Sequence, residues 1–125
     1  MLTLVPLKNT QEIIEFFALK GLQPNEGSGC VICKDGDEVL GLCLYDLTPQ
    51  KMVIRHIEPL NDLSLGDGIL RSTLHVAAER SIMDAYYAET VPEDFFRKLM
   101  FIKDENEKKL DIDKLFKSCG SCTSF

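Results

Sequence analysis

Two glycines separated by one residue, Gly66 and Gly68, stand between a strand-like apolar run and a helix-like run. A junction of this kind presents unpaired backbone N–H groups at the positive end of a helix dipole. Glycine also lets a ligand approach the backbone closely. The pattern therefore predicts a cradle for phosphate groups, with an ordinary turn as the commoner alternative. It lacks the remaining residues of the Walker A loop and of the GxGxxG dinucleotide fingerprint.

A second chemically capable pair, His56 and Glu58, lies on the strand that precedes those glycines. Because side chains alternate along a strand, both residues share one face. Histidine changes its charge near neutral pH, so His56 or Glu58 could remove a proton from an amine. The alternatives without chemistry are a half-exposed strand histidine and a solvated glutamate.

Five cysteines form the third group, and two pairs of them have CxxC spacing: Cys30 with Cys33, and Cys119 with Cys122. Two such pairs can make a tetrahedral zinc site, but here they are far apart in the chain. In an extended strand Cys30 and Cys33 would also point to opposite faces. We therefore expect no metal site and interpret Cys30, Cys33 and Cys43 as small core residues. A redox-active or metal-reactive thiol pair at Cys119 and Cys122 stays open.

Composition limits the classes of protein that these groups can serve. The chain has 125 residues, 45% of them hydrophobic and 27% charged, which indicates one globular domain and excludes a disordered chain. Its net charge of −6 argues against nucleic-acid binding. No signal peptide or membrane-spanning run is recognisable, and the cysteine number is odd. We expect a single cytoplasmic domain over residues 1–125, with a flexible tail at 117–125 and no membrane partner.

The elements that must position these groups follow from hydropathy periods, capping residues and turn residues. Asp35-Gly36 between two apolar runs is a strong hairpin signal. The predicted class is α/β (α+β), with a central mixed sheet, an antiparallel meander, one parallel strand–helix–strand crossover and flanking helices. The predicted order is an edge strand at 2–7, a helix from Asn9 to Gly21, a meander over 30–58, a helix over 68–80, a strand over 81–89, a helix from Pro92 to Leu99 and a hairpin over 101–112.

This order, with a glycine-spaced junction inside it, resembles the GNAT superfamily of acyl-CoA-dependent N-acyltransferases over about residues 29–116. The family's loop motif, Gln/Arg-x-x-Gly-x-Gly/Ala, matches Leu63–Gly68 at both glycines. The segment Phe96–Phe101 looks like the family's Tyr-x-x-x-Gly-Phe, just before the final hairpin. The chain is thus identified as a small, divergent member.

The resemblance implies a function and a set of site residues. It implies that acetyl-CoA or another acyl-CoA binds and that its acyl group passes to an amine on a small molecule or a protein; a homodimer is compatible with it. A backbone N–H near Ile57 and Glu58 would stabilise the oxyanion. The implied catalytic residues are Glu58, His56 and Tyr87. The implied cofactor contacts are Ile57, Leu65, Gly66, Asp67, Gly68, Ile69, Leu70 and Phe96.

Departures from the family pattern keep two other functions open. Leu63 replaces the Gln or Arg of the loop motif, and Phe96 stands where many relatives have a tyrosine that protonates the leaving thiolate. Asp62 and Asp67 add negative charge beside the expected phosphate site. These residues favour a non-catalytic binding module with the same fold. Cys119 and Cys122 alone favour a metal or thiol-redox protein.

Overall fold

A computed structural model describes residues 2–116 as seven strands in one mixed sheet and three helices. Cys119, Cys122 and the expected flexible tail lie outside the described residues. The sheet order is β1-β2-β3-β4-β5-β7-β6. The strands are β1 Leu2–Pro6, β2 Ser28–Asp35, β3 Glu38–Leu47, β4 Met52–Glu58, β5 Ala85–Tyr87, β6 Ile102–Asp104 and β7 Lys109–Leu110; the helices are α1 Thr10–Leu19, α2 Leu63–Ala78 and α3 Glu93–Lys98.

β2, β3 and β4 form the predicted antiparallel meander, and β1 pairs with β2 as the predicted edge strand. Gly36 closes the β2–β3 hairpin with a φ of 63°, the left-handed conformation that glycine favours. α1 begins where expected, because the side chain of Asn9 accepts a hydrogen bond from the Glu12 N–H at 3.1 Å.

The crossover from β4 to β5 is parallel and carries α2 between the two strands. The predicted start of this helix, Gly68, is wrong by five residues. Asp62 caps the helix by accepting a hydrogen bond from the Leu65 N–H at 3.1 Å, so helical geometry begins at Leu63. Gly66, Asp67 and Gly68 are consequently helical residues and not loop residues.

Smaller differences occur in the second half of the sheet. The strand expected over residues 81–89 is shortened to β5. The turn that ends α2 takes up the first of these residues, because the Ile82 N–H donates to the Ala77 carbonyl. Pro92 is the N-cap of α3 and not its first helical residue. Met100, which stands at the family's glycine position, has a φ of 62° and so adopts the conformation that glycine favours. The final hairpin, β6–β7, is confirmed.

Two apolar cores cover the two faces of the sheet. Alternation separates neighbours: Cys30 and Ile32 pack with Phe17 of α1, whereas Val31 and Cys33 pack in the larger core. α2 and α3 supply that larger core with Ile69, Leu70, Leu74, Ala77, Phe95 and Phe96. Cys30, Cys33 and Cys43 are buried free thiols, as expected. The sheet is thus held from both faces, which fixes the strand ends where a site can form.

Candidate functional site

A cleft opens where β4 and β5 stop pairing. Their parallel register runs from Met52–Ala85 to Ile54–Tyr87, and the bond from the Ala88 N–H to the Ile54 carbonyl, at 2.9 Å, follows it. β4 continues to Glu58, while the chain after Tyr87 turns into α3. The last part of β4 therefore extends beyond the end of β5.

A bulge at Arg55 changes which residues of β4 face this cleft. β3 pairs Tyr45 with Ile54 but Leu44 with His56, so Arg55 is the extra residue. Ile54 and Ile57 consequently pack in the same core although they are three residues apart. The side chains of His56 and Glu58 lie on the opposite face, toward α1.

The cleft has a volume of about 350 Å³ and a mixed polar and apolar lining. Its lining residues come from the end of α1, from β4 and from the segment between β5 and α3: Lys20, Leu22, Arg55, His56, Ile57, Leu60, Thr90, Val91 and Pro92. The predicted residues His56 and Ile57 thus share one cleft.

His56 and Lys20 line this cleft, and both contact Glu58, which lies outside the lining. The Nε2 of His56 lies 2.7 Å from Oε1 of Glu58, and the Lys20 Nζ also lies 2.7 Å from that oxygen. Partial burial acts to raise the pKa of Glu58, but the hydrogen bonds and charges of Lys20 and His56 outweigh it and lower that pKa. Glu58 is therefore an anion that orients the imidazole and is a weak base itself.

Arg55 is held in a fixed position beside His56. Its Nη1 donates to the carbonyl of Gln23 at 2.7 Å and lies 3.3 Å from a carboxylate oxygen of Asp46. The guanidinium also lies over the ring of Phe17, with 5.4 Å between its Cζ and the ring centroid. This cation is therefore positioned by the protein before any ligand arrives.

The predicted phosphate cradle has a different geometry from the expected loop. The Leu65 N–H donates to the side chain of Asp62, and the Gly66 N–H donates to the Asp62 carbonyl at 2.9 Å. Both groups are thus already engaged. Leu65 and Gly68 instead border a separate groove of about 390 Å³ between α2 and β1, together with Asp62 and Ser64.

The other expected cofactor contacts on α2 have structural partners. Gly66, Ile69 and Leu70 are buried, and Phe95 of α3 packs directly against Gly66. Asp67 pairs with Arg71, with 2.8 Å between Oδ2 and Nε. Asp67 thus turns its carboxylate toward a cation one helical turn away.

Tyr87 and Phe96, two further expected site residues, lie in the core. Phe96 is fully buried and stacks on Tyr87 with 4.8 Å between ring centroids. The Tyr87 hydroxyl donates to Oε1 of Glu93 at 2.7 Å. Burial, and then that hydrogen bond and the charge of Glu93, raise the pKa of Tyr87 to about 12. Neither residue lines the cleft, because β5 directs Tyr87 into the larger core.

Two residues of the cleft, Lys20 and Arg55, are not predicted from the sequence. Strict alternation along β4 places Arg55 on the face opposite His56, and only the bulge brings both to one cleft. Lys20 follows the last residue of α1, which is an ordinary place for a helix-ending cation. Neither residue type nor spacing distinguishes them beforehand.

The thiol alternative rests on Cys119 and Cys122, which lie outside the described residues, so that alternative stays open. Among residues 2–116, no group of three or more His, Cys, Asp or Glu side chains could hold a metal ion. None of the helices in that range is long and apolar enough to cross a bilayer. Burial raises the pKa of Cys30 and of Cys43 to about 12, which keeps both thiols unreactive.

Comparison with solved structures identifies the fold. A GNAT-family acetyltransferase from Streptococcus pneumoniae superimposes with a TM-score of 0.57 at 18% identity, over 82% of this chain and 88% of that one. A ribosomal-protein-alanine N-acetyltransferase from Brucella melitensis gives 0.57 at 16%, over 79% and 88%. Escherichia coli YhhK, solved with coenzyme A bound, gives 0.54 at 15%, over 84% and 94%.

The three likenesses confirm the mixed α/β fold predicted from the order of elements. At these identities the agreement concerns the course of the backbone. No protein-family model matches the sequence, and no curated protein sequence matches it either.

Proposed function

We propose that this chain, which has the GNAT fold, is an acyl-CoA-dependent N-acyltransferase whose reaction takes place in the cleft between β4 and β5. The single observation that carries the proposal is the His56–Glu58 pair at that cleft, on the strand whose end is unpaired by β5. The CoA-bound structure of YhhK, with the same fold, supports an acyl-CoA as the donor.

His56 is the proposed base. An amine reacts in its neutral form, so a proton must leave the acceptor's ammonium group. If the Nε2–H of His56 donates to Glu58, the free Nδ1 of the imidazole can take that proton. Glu58 acts as a positioning residue that fixes the tautomer and stabilises the imidazolium. Lys20 keeps Glu58 ionised through its own contact with Oε1.

Ile57 is the proposed oxyanion donor. Met52 and Ile54 direct backbone groups toward β5, as their bonds with Asp84 and Ala88 indicate. The bulge at Arg55 shifts this alternation, so we infer that Ile57 is the next residue whose N–H points into the cleft. A backbone donor at this position would stabilise negative charge on the carbonyl oxygen under attack.

Acyl-CoA would supply an activated acyl group as a thioester. In the overall transfer, the amine nitrogen bonds to the carbonyl carbon, the carbon–sulfur bond breaks, and free CoA and an N-acyl product result. His56 holds the proton removed from the amine. Tyr87 is a poor donor to the leaving sulfur, because its hydroxyl is bonded to Glu93 and has a raised pKa. We therefore assign that protonation to solvent, which also accepts the second proton that the nitrogen loses after attack.

The cleft fits the thioester end of an acyl-CoA better than the N-terminus of α2 fits its pyrophosphate. The cleft suits the thioester end, because the backbone beyond Ile54 is available to pair with the pantetheine amides. At the N-terminus of α2, the Asp62 side chain accepts the hydrogen bond of the Leu65 N–H, so this donor is not free for a pyrophosphate oxygen. Leu63 and Ser64, the first two helical residues, have the remaining N–H groups of that turn. We therefore expect weak binding of the pyrophosphate.

The self-capped α2 also favours the second candidate function, a binding module without catalysis. Asp62 and the buried Phe96 are the observations behind it. Such a module would bind an acyl-CoA or another ligand in the same cleft without releasing CoA. The two functions differ in a product that is easily measured.

Calorimetric titration with acetyl-CoA and with desulfo-CoA, followed by a CoA-release assay across an amine panel, tests the proposal. We expect the wild-type protein to bind acetyl-CoA and to release CoA. In His56→Asn the rate of CoA release should fall by about 100-fold or more, while the affinity for acetyl-CoA stays unchanged. His75→Asn is the matched control, since the exposed side chains of His75 and Glu79 on α2 form a similar 2.8 Å contact. No binding at millimolar acetyl-CoA would refute the proposal, and binding without release would establish the non-catalytic module.

A further inference from the structure

The cleft combines positive charge with an apolar wall. Lys20, Arg55, His56 and Thr90 contribute the polar part of its lining, and no aspartate or glutamate is among the lining residues. The chain as a whole carries a net charge of −6, so this distribution departs from the average surface. Leu22, Leu60 and further apolar side chains contribute the remaining wall.

Asp46, behind the cleft, forms an ion pair with Arg55 through a single guanidinium nitrogen. Asp46 accepts shorter hydrogen bonds from Ser28, at 2.6 Å, and from Asn25, at 2.9 Å, than its 3.3 Å contact with Arg55. Glu58, the other acid, pairs with Lys20 and His56. Asp46 thus engages only the Nη1 of the Arg55 guanidinium.

The donor geometry of Arg55 suits a planar anion. Its hydrogen bonds to Gln23 and Asp46 all leave from Nη1, and the guanidinium lies over the ring of Phe17. A guanidinium has five N–H donors in a fixed fork that matches both oxygens of a carboxylate. The Nε and Nη2 edge of the fork therefore has donors left for a carboxylate.

We propose that the amine acceptor is a small α-amino acid with an aliphatic side chain, whose carboxylate binds Arg55. This inference rests on the proposed function, because His56 must then take a proton from the same ligand's ammonium group. Arg55 and His56 are adjacent in sequence and line one cleft, so one small zwitterion can contact both. Its side chain would pack against Leu22 and Leu60.

The size of the cleft agrees with a small acceptor. Its volume of about 350 Å³ is close to the lower limit of about 300 Å³ for ligand pockets. The same space must also admit the thioester end of the donor. A bulky polycationic amine would in addition meet Lys20 and Arg55, whose charges repel it.

Binding of three matched ligands to the full-length wild-type protein tests the proposal without any substitution. L-leucine has both charged groups, L-leucinamide has no carboxylate, and 3-methylbutylamine has neither a carboxylate nor an amide. By calorimetry, with and without desulfo-CoA, we expect L-leucine to bind about tenfold or more tightly than either analogue. Equal affinities, or no binding of L-leucine at millimolar concentration, would overturn the assignment.

Substitutions locate the carboxylate. Arg55→Met should remove the preference for L-leucine over L-leucinamide, and Arg55→Lys should keep only part of it because the fork is lost. Lys103→Met, an exposed cation outside the cleft, should keep it in full. A preference unchanged in both correctly folded Arg55 variants contradicts the proposal.

Failure of this proposal is distinguishable from failure of the proposed function. L-leucine that binds through Arg55 without CoA release would leave the amino-acid site standing and contradict the acyltransferase. CoA release at the same rate with L-leucine and with amines that lack a carboxylate would support the acyltransferase and contradict the amino-acid site.

Discussion

Phe95 of α3 lies where a side chain at Gly66 of α2 would begin. A Cβ built on Gly66 would be 2.6 Å from Cζ of the ring and 2.8 Å from Cε1. Real Cβ atoms essentially never come so close to another heavy atom, so the two helices can approach only because residue 66 has no side chain. Gly66 therefore has a packing role, whatever it contributes to a ligand.

Substitution of the two glycines by alanine should have opposite effects on stability. Gly66→Ala forces the Phe95 ring to move and should lower the free energy of unfolding by about 1–3 kcal/mol. Gly68→Ala meets only Leu4, at 3.5 Å, and should be neutral or stabilising by up to about 1 kcal/mol, since alanine favours the helix. Urea unfolding of both variants measures the difference.

The comparison of Gly66 with Gly68 also separates the packing of α2 against α3 from contact with a ligand in the groove. Gly68 borders the groove beside the α2 N-terminus, whereas Gly66 is buried. Equal losses of stability at both positions would contradict the packing role of Gly66.

Asp62 should limit the affinity for the donor. Asp62→Ser keeps an N-cap and removes the negative charge, so the affinity for acetyl-CoA should rise by about threefold to tenfold with little change in stability. Asp62→Ala removes the cap and should cost about 1 kcal/mol of stability. Calorimetric titration and thermal unfolding measure the two effects.

Glu79→Ser, at an exposed acidic residue at the other end of α2, is the charge control for Asp62→Ser. An affinity that rises equally in both variants would indicate a general effect of net charge. Unchanged affinity in Asp62→Ser would show that no phosphate group reaches this end of the helix.

Tyr87 should make the fold sensitive to alkaline pH. Its pKa is raised to about 12 in the folded protein by burial and by Glu93, against about 10 in an unfolded chain. The folded state thus retains the proton longer, and this contribution is complete below pH 10 and is lost as the pH rises toward 12. Between about pH 9 and about pH 11 the loss amounts to about 1 kcal/mol.

Tyr87→Phe removes this titration and keeps the stacking on Phe96. The variant should therefore lose less stability than the wild type over the same alkaline interval, as measured by the pH dependence of urea unfolding. Parallel curves for the two proteins would show that Tyr87 titrates normally. The buried thiols titrate in both proteins and cancel in the comparison.

The sequence by itself determined the order of elements and the two faces of the sheet. The apolar runs of β2 and β3 on either side of Asp35-Gly36 predicted the hairpin, and strand alternation placed Cys30 and Cys33 on opposite faces. These signals are local, because side-chain alternation and turn geometry depend only on neighbouring residues. His56 was likewise found from its residue type and its strand.

Tertiary structure alone decided which of the candidate groups meet. The bulge at Arg55 brings this cation to the cleft of His56, and the Asp62 cap turns the expected glycine loop into helix. Phe95 meets Gly66 only because α3 returns to α2 across the larger core. Such contacts join residues far apart in the chain, or depend on one extra residue in a strand, and neither leaves a periodic signal in the sequence.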